Sequence, residues 1–410
     1  MGSARGEGEV QRAISSFAGA NPGTSALVWR IGASDAAVPV ASFRADTPLI
    51  PASTMKLVTS AGALIELGPD FRFQTHLYAP ATSVQRGRVL VGPIYLRGSG
   101  DPVLATRAYA SRYLPGRATR LAALARPLHA KGIRLVRGAI VADERLFDSR
   151  RLGPGWPSHY SAYASPLSAL ATNQDFAGNS RGSHVTSPPL AAAQRLRATL
   201  SGFGVTQRGA LRVGAAPASG RVLATATSPP LPAIVHAMNL DSDNFIAETL
   251  AKDVGAYGAG RGTTRAGVGH TAALLRSRRI LAAGDRLVDG SGLSRSNRLS
   301  ASSLVRLIAA ADADSTWGAP LIGSLARGGE GTLIRRFTSG PATKRVRAKT
   351  GYLDGVSAIA GRVVSRRGQR YAFALLMNSN DITSARATQD RVITLLASGS
   401  EDGAASARSR

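Results

Sequence analysis

Short runs dominated by apolar residues at Ser25–Ile31 and Pro39–Phe43 predict two strands, joined by a turn at Gly32-Ala-Ser-Asp35. The pattern then changes. Leu57-Val-Thr-Ser-Ala-Gly-Ala-Leu-Ile-Glu-Leu67 is apolar and helix-compatible and stops at Gly68-Pro69, so a helix of about four turns is expected to start near Pro51. Phe71–Ala79 and Val89–Arg97 read as further strands, and Gly98-Ser-Gly-Asp-Pro102 as a turn. Leu121–Lys131 reads as a helix and Ile133–Ala142 as a strand. Residues 150–190 are rich in Pro, Gly, Ser and Asn and read as irregular. A helix around Pro189–Ser201 follows, then a boundary at Ser228-Pro-Pro-Leu-Pro232 and helical patterns at Ile234–Val254 and Thr263–Ala283. Three late strands, Arg345–Thr350, Val356–Val364 and Tyr371–Asn378, precede a closing helix at about Ile382–Ala397.

Strands at both ends with helices between them imply that the termini share one antiparallel sheet and that the middle is inserted into that domain. The expected fold class is α+β. The expected limits are a discontinuous domain of residues 11–75 and 233–398, an inserted α/β domain of residues 76–232, and disordered tails at 1–10 and 399–410.

Composition narrows the function classes. The 410 residues are 44% hydrophobic, and no apolar run reaches the roughly 18 residues of a membrane span. With no Cys, disulfides, thiolate metal sites and Cys nucleophiles are excluded. The six His show no ligand spacing, so neither a metal nor another cofactor is expected. Net charge is +26, which predicts attraction to polyanions. The longest basic runs are pairs such as Arg278-Arg279, without interleaved aromatics, which argues against specific nucleic-acid binding. The start, Met1-Gly-Ser-Ala-Arg-Gly-Glu-Gly, shows no signal-peptide core.

Candidate chemistry begins at Pro51-Ala-Ser-Thr-Met-Lys56. Positions i and i+3 share a helix face, so Ser53 Oγ and Lys56 Nζ would meet as nucleophile and base. Alone, such a pair is usually a cap and a solvated lysine. Here only five of 51 Lys and Arg residues are lysines (56, 131, 252, 344 and 349). Lysine can lose its proton when desolvated and arginine cannot, which favours a base at Lys56. Two further motifs follow in order: Ser242-Asp-Asn244 at a loop–helix junction, and Lys349-Thr-Gly351 at the end of a strand. Each alone reads as a helix cap or a strand end. The three together, in this order, form the signature of class A β-lactamases and penicillin-binding proteins.

The whole chain resembles the class C low-molecular-mass penicillin-binding proteins, the D-alanyl-D-alanine carboxypeptidase/endopeptidase family. Gly98-Ser-Gly-Asp-Pro102, Pro154-Gly-Trp156, Ser242-Asp-Asn-Phe-Ile-Ala-Glu248, Asp289-Gly-Ser-Gly-Leu-Ser-Arg295 and Lys349-Thr-Gly-Tyr-Leu-Asp-Gly-Val356 carry the resemblance, over roughly residues 20–398. It implies a β-lactamase/transpeptidase-like domain with an insert whose inner nested part is reduced or absent. It implies an exported periplasmic or wall-associated enzyme acting on peptidoglycan stem peptides and acylated at Ser53 by β-lactams. Ser53, Lys56, Ser242, Asn244 and Lys349 would be catalytic, with Thr350, Gly351 and the Tyr352 N–H at the substrate. Tyr352 stands where the family more often has a small hydroxyl residue, and its bulk is expected to narrow the groove. Asp143 and Arg295 are expected to read the free diamino-acid end, and Asp289 to shape its turn. Two other readings remain: a serine β-lactamase or esterase on the same scaffold, disfavoured by the lack of a clear deacylating Glu, and a non-catalytic basic wall-binding protein. Retention on anionic wall polymers would fit the high charge.

Overall fold

The computed structural model describes residues 2–32 and 38–399. The rest of the hairpin turn after Gly32 and the tail after Gly399 lie outside the described residues. The chain forms two compact units. One holds the chain up to Pro69, Val235–Asp243 and the chain from Val268 on, and the other holds Asp70–Ile234 and Asn244–Gly267.

The first unit is built on a six-stranded antiparallel sheet in the order Ala326–Arg327, Val346–Leu353, Val356–Val364, Arg370–Met377, Thr24–Ile31, Val38–Phe43. The two ends of the chain are thus adjacent strands, with Val28 opposite Phe373. One face is covered by Gly2–Ala20 and the closing helix Ile382–Ser398. Val10, Ala13, Ile14 and Phe17 recur at i, i+3, i+4 and i+7 and are buried with Val346, Ala348, Phe373, Val392 and Leu396. Residues 2–10 are therefore helical, contrary to the expected disorder, because this stripe needs the sheet as its partner. The other face carries Met55–Glu66 and Ala301–Ala313. The latter helix lies in a stretch to which the sequence patterns assign no element, although Ser300 caps it by accepting from Ser303 N and Leu304, Leu307, Ile308 and Ala311 line one side.

The second unit contains a mixed five-stranded sheet, Leu211–Val213, Ile140–Asp143, Ile94–Arg97, Gln74–Ala79, Arg221–Thr227. A four-stranded sheet, Thr206–Arg208, Leu135–Arg137, Val89–Val91, Val84–Arg86, continues beside it. The runs expected as single strands at Val89–Arg97 and Ile133–Ala142 are each broken, at Gly92-Pro93 and at Gly138. The cause is a row of glycines. A Cβ on Gly138 would lie 1.9 Å from Gly92 O, and one on Gly209 would lie 2.4 Å from Gly138 O. Three strands pass from one sheet to the other at this row, where only backbone fits. Helices Ala122–Ala130 and Pro188–Gly202 bury Leu124, Leu128, Leu196 and Leu200 against the sheet residues Leu77, Leu96 and Ile140. Among the described residues no helix is long and apolar enough to cross a membrane.

Candidate active site

The segment Pro51–Lys56 enters its helix through a 3-10 turn, Ala52–Thr54, so Ser53 sits just before the α-helix Met55–Glu66. Thr54 Oγ1 donates to Pro51 O at 2.7 Å and closes the turn. Ala52 is held at φ +45, a left-handed conformation that is strained for alanine. Ser53 is half-buried, so its hydroxyl stays within reach of a ligand, while Lys56 is completely buried. Lys56 Nζ donates to Ser53 Oγ at 3.0 Å, the contact that the spacing required, and to the carbonyl of Ser291 at 2.7 Å.

That second acceptor comes from a loop shaped by Asp289. Its carboxylate accepts from the N–H groups of Gly292 and Ser294 and from Asn297 Nδ2. The loop is latched to the helix by Thr59 Oγ1, which donates to Gly290 O at 2.6 Å. At Gly292 (φ +89) a Cβ would fall 1.9 Å from Ala52 O, so this turn lies flat against the segment that presents Ser53. The motif Asp289–Arg295 was visible in the sequence, but its part as supplier of the Ser291 carbonyl was not.

The strand Val346–Leu353 meets the same segment from another side. A Cβ on Gly351 would lie 2.7 Å from Pro51 O and 3.1 Å from Ser53 N. Lys349, two residues earlier on the same face, is completely buried and donates to Thr350 O at 2.9 Å. Burial, and then the neighbouring Lys56, push the Lys349 amine well below its ordinary value. Thr350 and Tyr352 alternate to the opposite face, where they pair with Ile359 and Ser357. Tyr352 is exposed, and the Arg386 guanidinium stands 5.1 Å from its ring centroid. The ring is thus held beside the closing helix, which carries Arg386. The short strand Ala326–Arg327 pairs only with Ala348 and Arg347, so among the described residues no strand pairs with Lys349–Leu353 on that edge.

Ser242 occupies the turn between helices Leu231–Asp241 and Asn244–Asp253, at φ +59. The first of these helices is fastened to the Ser53 helix by Asn239 Nδ2, which donates to Ser60 Oγ at 2.9 Å and to Ser324 Oγ at 2.8 Å. Ser60 Oγ in turn donates to Lys56 O. Asn244 opens the next helix, within the second unit, and its amide donates to Tyr163 O at 2.9 Å. Arg295 is exposed in the first unit, with Nη1 donating to Asp354 O at 2.8 Å in the turn that ends the Lys349 strand.

Asp143 ends a central strand of the second unit, on the wall of a cavity of about 630 Å³. Its carboxylate accepts from Arg145 through the backbone N–H and both arms of the guanidinium, and from Ala216 N. Burial alone would raise this carboxyl, but those hydrogen bonds outweigh it and hold it below its ordinary value. Its acceptor sites are taken up by its own chain, so geometry makes Asp143 the anchor of Arg145. No cluster of three or more His, Cys, Asp or Glu able to hold a metal occurs among the described residues.

An amine hydrogen-bonded to a serine hydroxyl, with a second buried amine alongside, suits proton transfer and acyl transfer. The family profile of the D-Ala-D-Ala carboxypeptidase 3 (S13) family matches residues 20–180 and 173–398. The chain belongs to this family. It is 33% identical to the carboxypeptidase DacB of Mycolicibacterium smegmatis, over 88% of this chain and 78% of that one. It is 30% identical to the D-alanyl-D-alanine carboxypeptidase of an Actinomadura species, over 85% of this chain and 77% of that one. In fold it is similar to penicillin-binding protein 4 of Haemophilus influenzae, with a TM-score of 0.75 at 23% identity over 93% of this chain and 97% of that one.

Proposed function

We propose that this protein is a serine D-alanyl-D-alanine carboxypeptidase/endopeptidase that cleaves peptidoglycan stem peptides through an acyl-enzyme on Ser53. The observation that carries the reading is the wholly buried Lys56 amine, 3.0 Å from the Ser53 hydroxyl. The relatives that match at 30% and 33% identity are named as a D-alanyl-D-alanine carboxypeptidase and a carboxypeptidase, which supports the carboxypeptidase part of this reading. In this reading Ser53 Oγ attacks the carbonyl carbon of the penultimate D-alanine while its proton passes to neutral Lys56. The N–H groups of Ser53 and Tyr352 stabilise the oxyanion, each such donor being worth roughly 3 kcal/mol in a comparable site. The intermediate collapses, the C–N bond breaks, and the departing amine takes a proton relayed through Ser242. Asn244 holds the substrate amide, Lys349, with Thr350 beside it on the strand edge, binds the terminal carboxylate or the cross-link amide region, and Arg295 reads the carboxylate of the free diamino-acid end. The close approach of Gly351 lets an extended substrate lie along the unpaired edge of the Lys349 strand and reach Ser53. Water then hydrolyses the ester and restores Ser53.

A β-lactam opened by Ser53 keeps its leaving group tethered, so its adduct outlasts that of a peptide. The substrate places the working protein outside the cytoplasm, and the net charge of +26 favours its retention on anionic wall polymers. Intact-protein mass after benzylpenicillin treatment tests the central claim. A single adduct of the whole drug is expected on the wild type and none on Ser53→Ala. No adduct on the wild type, or the same adduct on Ser53→Ala, overturns it.

A further inference from the structure

The cavity in the second unit is built from chemistry that the acyl-transfer reading does not use. All of its lining residues belong to that unit. Its wall crosses three neighbouring strands on the side opposite the buried Leu77, Leu96 and Ile140, and is dominated by Arg72, Arg97 and Arg145 with Tyr78 and Tyr257. The three arginines differ in what they have left to give. Arg145 is committed to Asp143 by a two-armed pair. Arg72 spends one arm on Ser228 O, at 2.9 Å. Arg97 makes no side-chain hydrogen bond among the described residues. Its guanidinium is held 5.6 Å from the Tyr78 ring centroid and lies 3.8 Å from Asp143, whose charge Arg145 already neutralises.

Arg97 is thus an oriented fork with empty donor positions, stacked on an aromatic face and facing a cavity of about 630 Å³. That volume suits a ligand of a few rings. The fork matches a carboxylate or a phosphate, which a single guanidinium can hold with two hydrogen bonds. Tyr257, 43% exposed, has its hydroxyl tied to Ser99 O and packs against Phe71, so it offers a fixed flat face of the kind that sugar rings stack on. Burial and the charge of Arg97 lower the pKa of His76, so it serves as a neutral hydrogen-bonding group there.

We infer that this cavity is a binding site for an acidic oligosaccharide, one whose sugars or linkages carry carboxylate or phosphate, with Arg97 as the anion anchor and Tyr257 as the stacking face. The choice of a wall carbohydrate over other anions rests on the proposed activity on peptidoglycan. The site itself does not depend on Ser53.

Isothermal titration of the full chain tests this with three probes of similar length: a peptide-free glycan bearing carboxylates, an oligosaccharide with phosphodiester linkages, and a neutral N-acetylglucosamine oligomer. At least one acidic probe is expected to bind, and which of them binds identifies the source of the anion. Arg97→Gln is expected to weaken that binding at least tenfold and Arg97→Lys to weaken it less, because lysine keeps charge and loses the fork. Arg208→Gln, an exposed arginine elsewhere in the same unit, is expected to leave it unchanged. The inference is overturned if neither acidic probe binds, if the neutral probe binds equally well, or if Arg208→Gln weakens binding as much as Arg97→Gln. Penicillin acylation measured on the same samples keeps the two readings apart, since all these variants should acylate at the wild-type rate.

Discussion

Burial sorts the cations of this chain by their chemistry. Lys56, Lys252 and Lys349 are completely enclosed, and no arginine among the described residues is. An ammonium can leave water by losing its proton, whereas a guanidinium carries its charge wherever it goes. Lys349 shows the consequence. Burial and Lys56 both oppose its charge, so it sheds its proton at a lower pH than the ordinary value of 10.5. Substrate affinity that depends on this ammonium is therefore lost on the alkaline side. The KM for a peptide ending in a free carboxylate should rise well before pH 10.5, with no matching rise for an amidated peptide. Gly351 carries a steric version of the same dependence on its neighbours. In Gly351→Ala the new methyl meets Pro51 O at 2.7 Å and must push the strand away from Ser53. We expect a loss of about 1–3 kcal/mol in urea unfolding, together with slower acylation.

At the scale of elements, the residues proposed to act on substrate sit where regular structure stops. Ser53 lies in a 3-10 turn before a helix, Ser242 between two helices, and Lys349–Gly351 where a strand outruns its neighbour. Each interruption leaves a side chain or a backbone edge unclaimed by secondary structure. Ser242 holds a left-handed conformation that a non-glycine residue adopts at a cost of about 1 kcal/mol or more. Ser242→Gly should therefore separate stability from activity. The midpoint of thermal unfolding is expected to stay level or rise, while turnover of a D-alanyl-D-alanine peptide falls as the relaying hydroxyl is lost. A fall in stability with unchanged turnover would remove Ser242 from the proton path. The glycine row Gly92, Gly138 and Gly209 is an interruption of a different kind, which lets three strands change sheets together.

At the scale of the whole molecule, two buried carboxylates contribute a pH dependence opposite to the usual one. Burial pushes Asp101 up to about 6, and burial together with Asp101 pushes Asp253 well above its ordinary value. Both Asp253 oxygens are buried without a hydrogen-bond partner among the described residues. For such a group the folded state binds more protons than the unfolded chain between pH 3.8 and about 6. Stability therefore falls as pH rises through that window, by about 3 kcal/mol for Asp101 alone. Urea titrations of Asp101→Asn should match the wild type near pH 4 and show a more stable protein at pH 7. Equal stability of the two at pH 7 would mean that Asp101 ionises without cost.

Much of this was legible in the chain. Strands of the terminal sheet, the closing helix and the three motif segments follow from local patterns, because apolar runs, turn residues and the i, i+3 relation of Ser53 to Lys56 are properties of neighbouring residues. The helix Ala301–Ala313 carries local signals too, a Ser300 cap and apolar spacing, but they are weaker than those of the motif segments. What the sequence could not decide is what each motif touches. The Ser291 carbonyl reaches Lys56 across 235 residues, Gly351 meets Pro51 across 300, and Asp143 spends its charge on Arg145 because burial selects the partner already beside it. The residue types, and with them the reactions open to the chain, are written locally. The desolvation that makes an amine a base and the clearance that brings a strand to a serine exist only once distant segments share one volume.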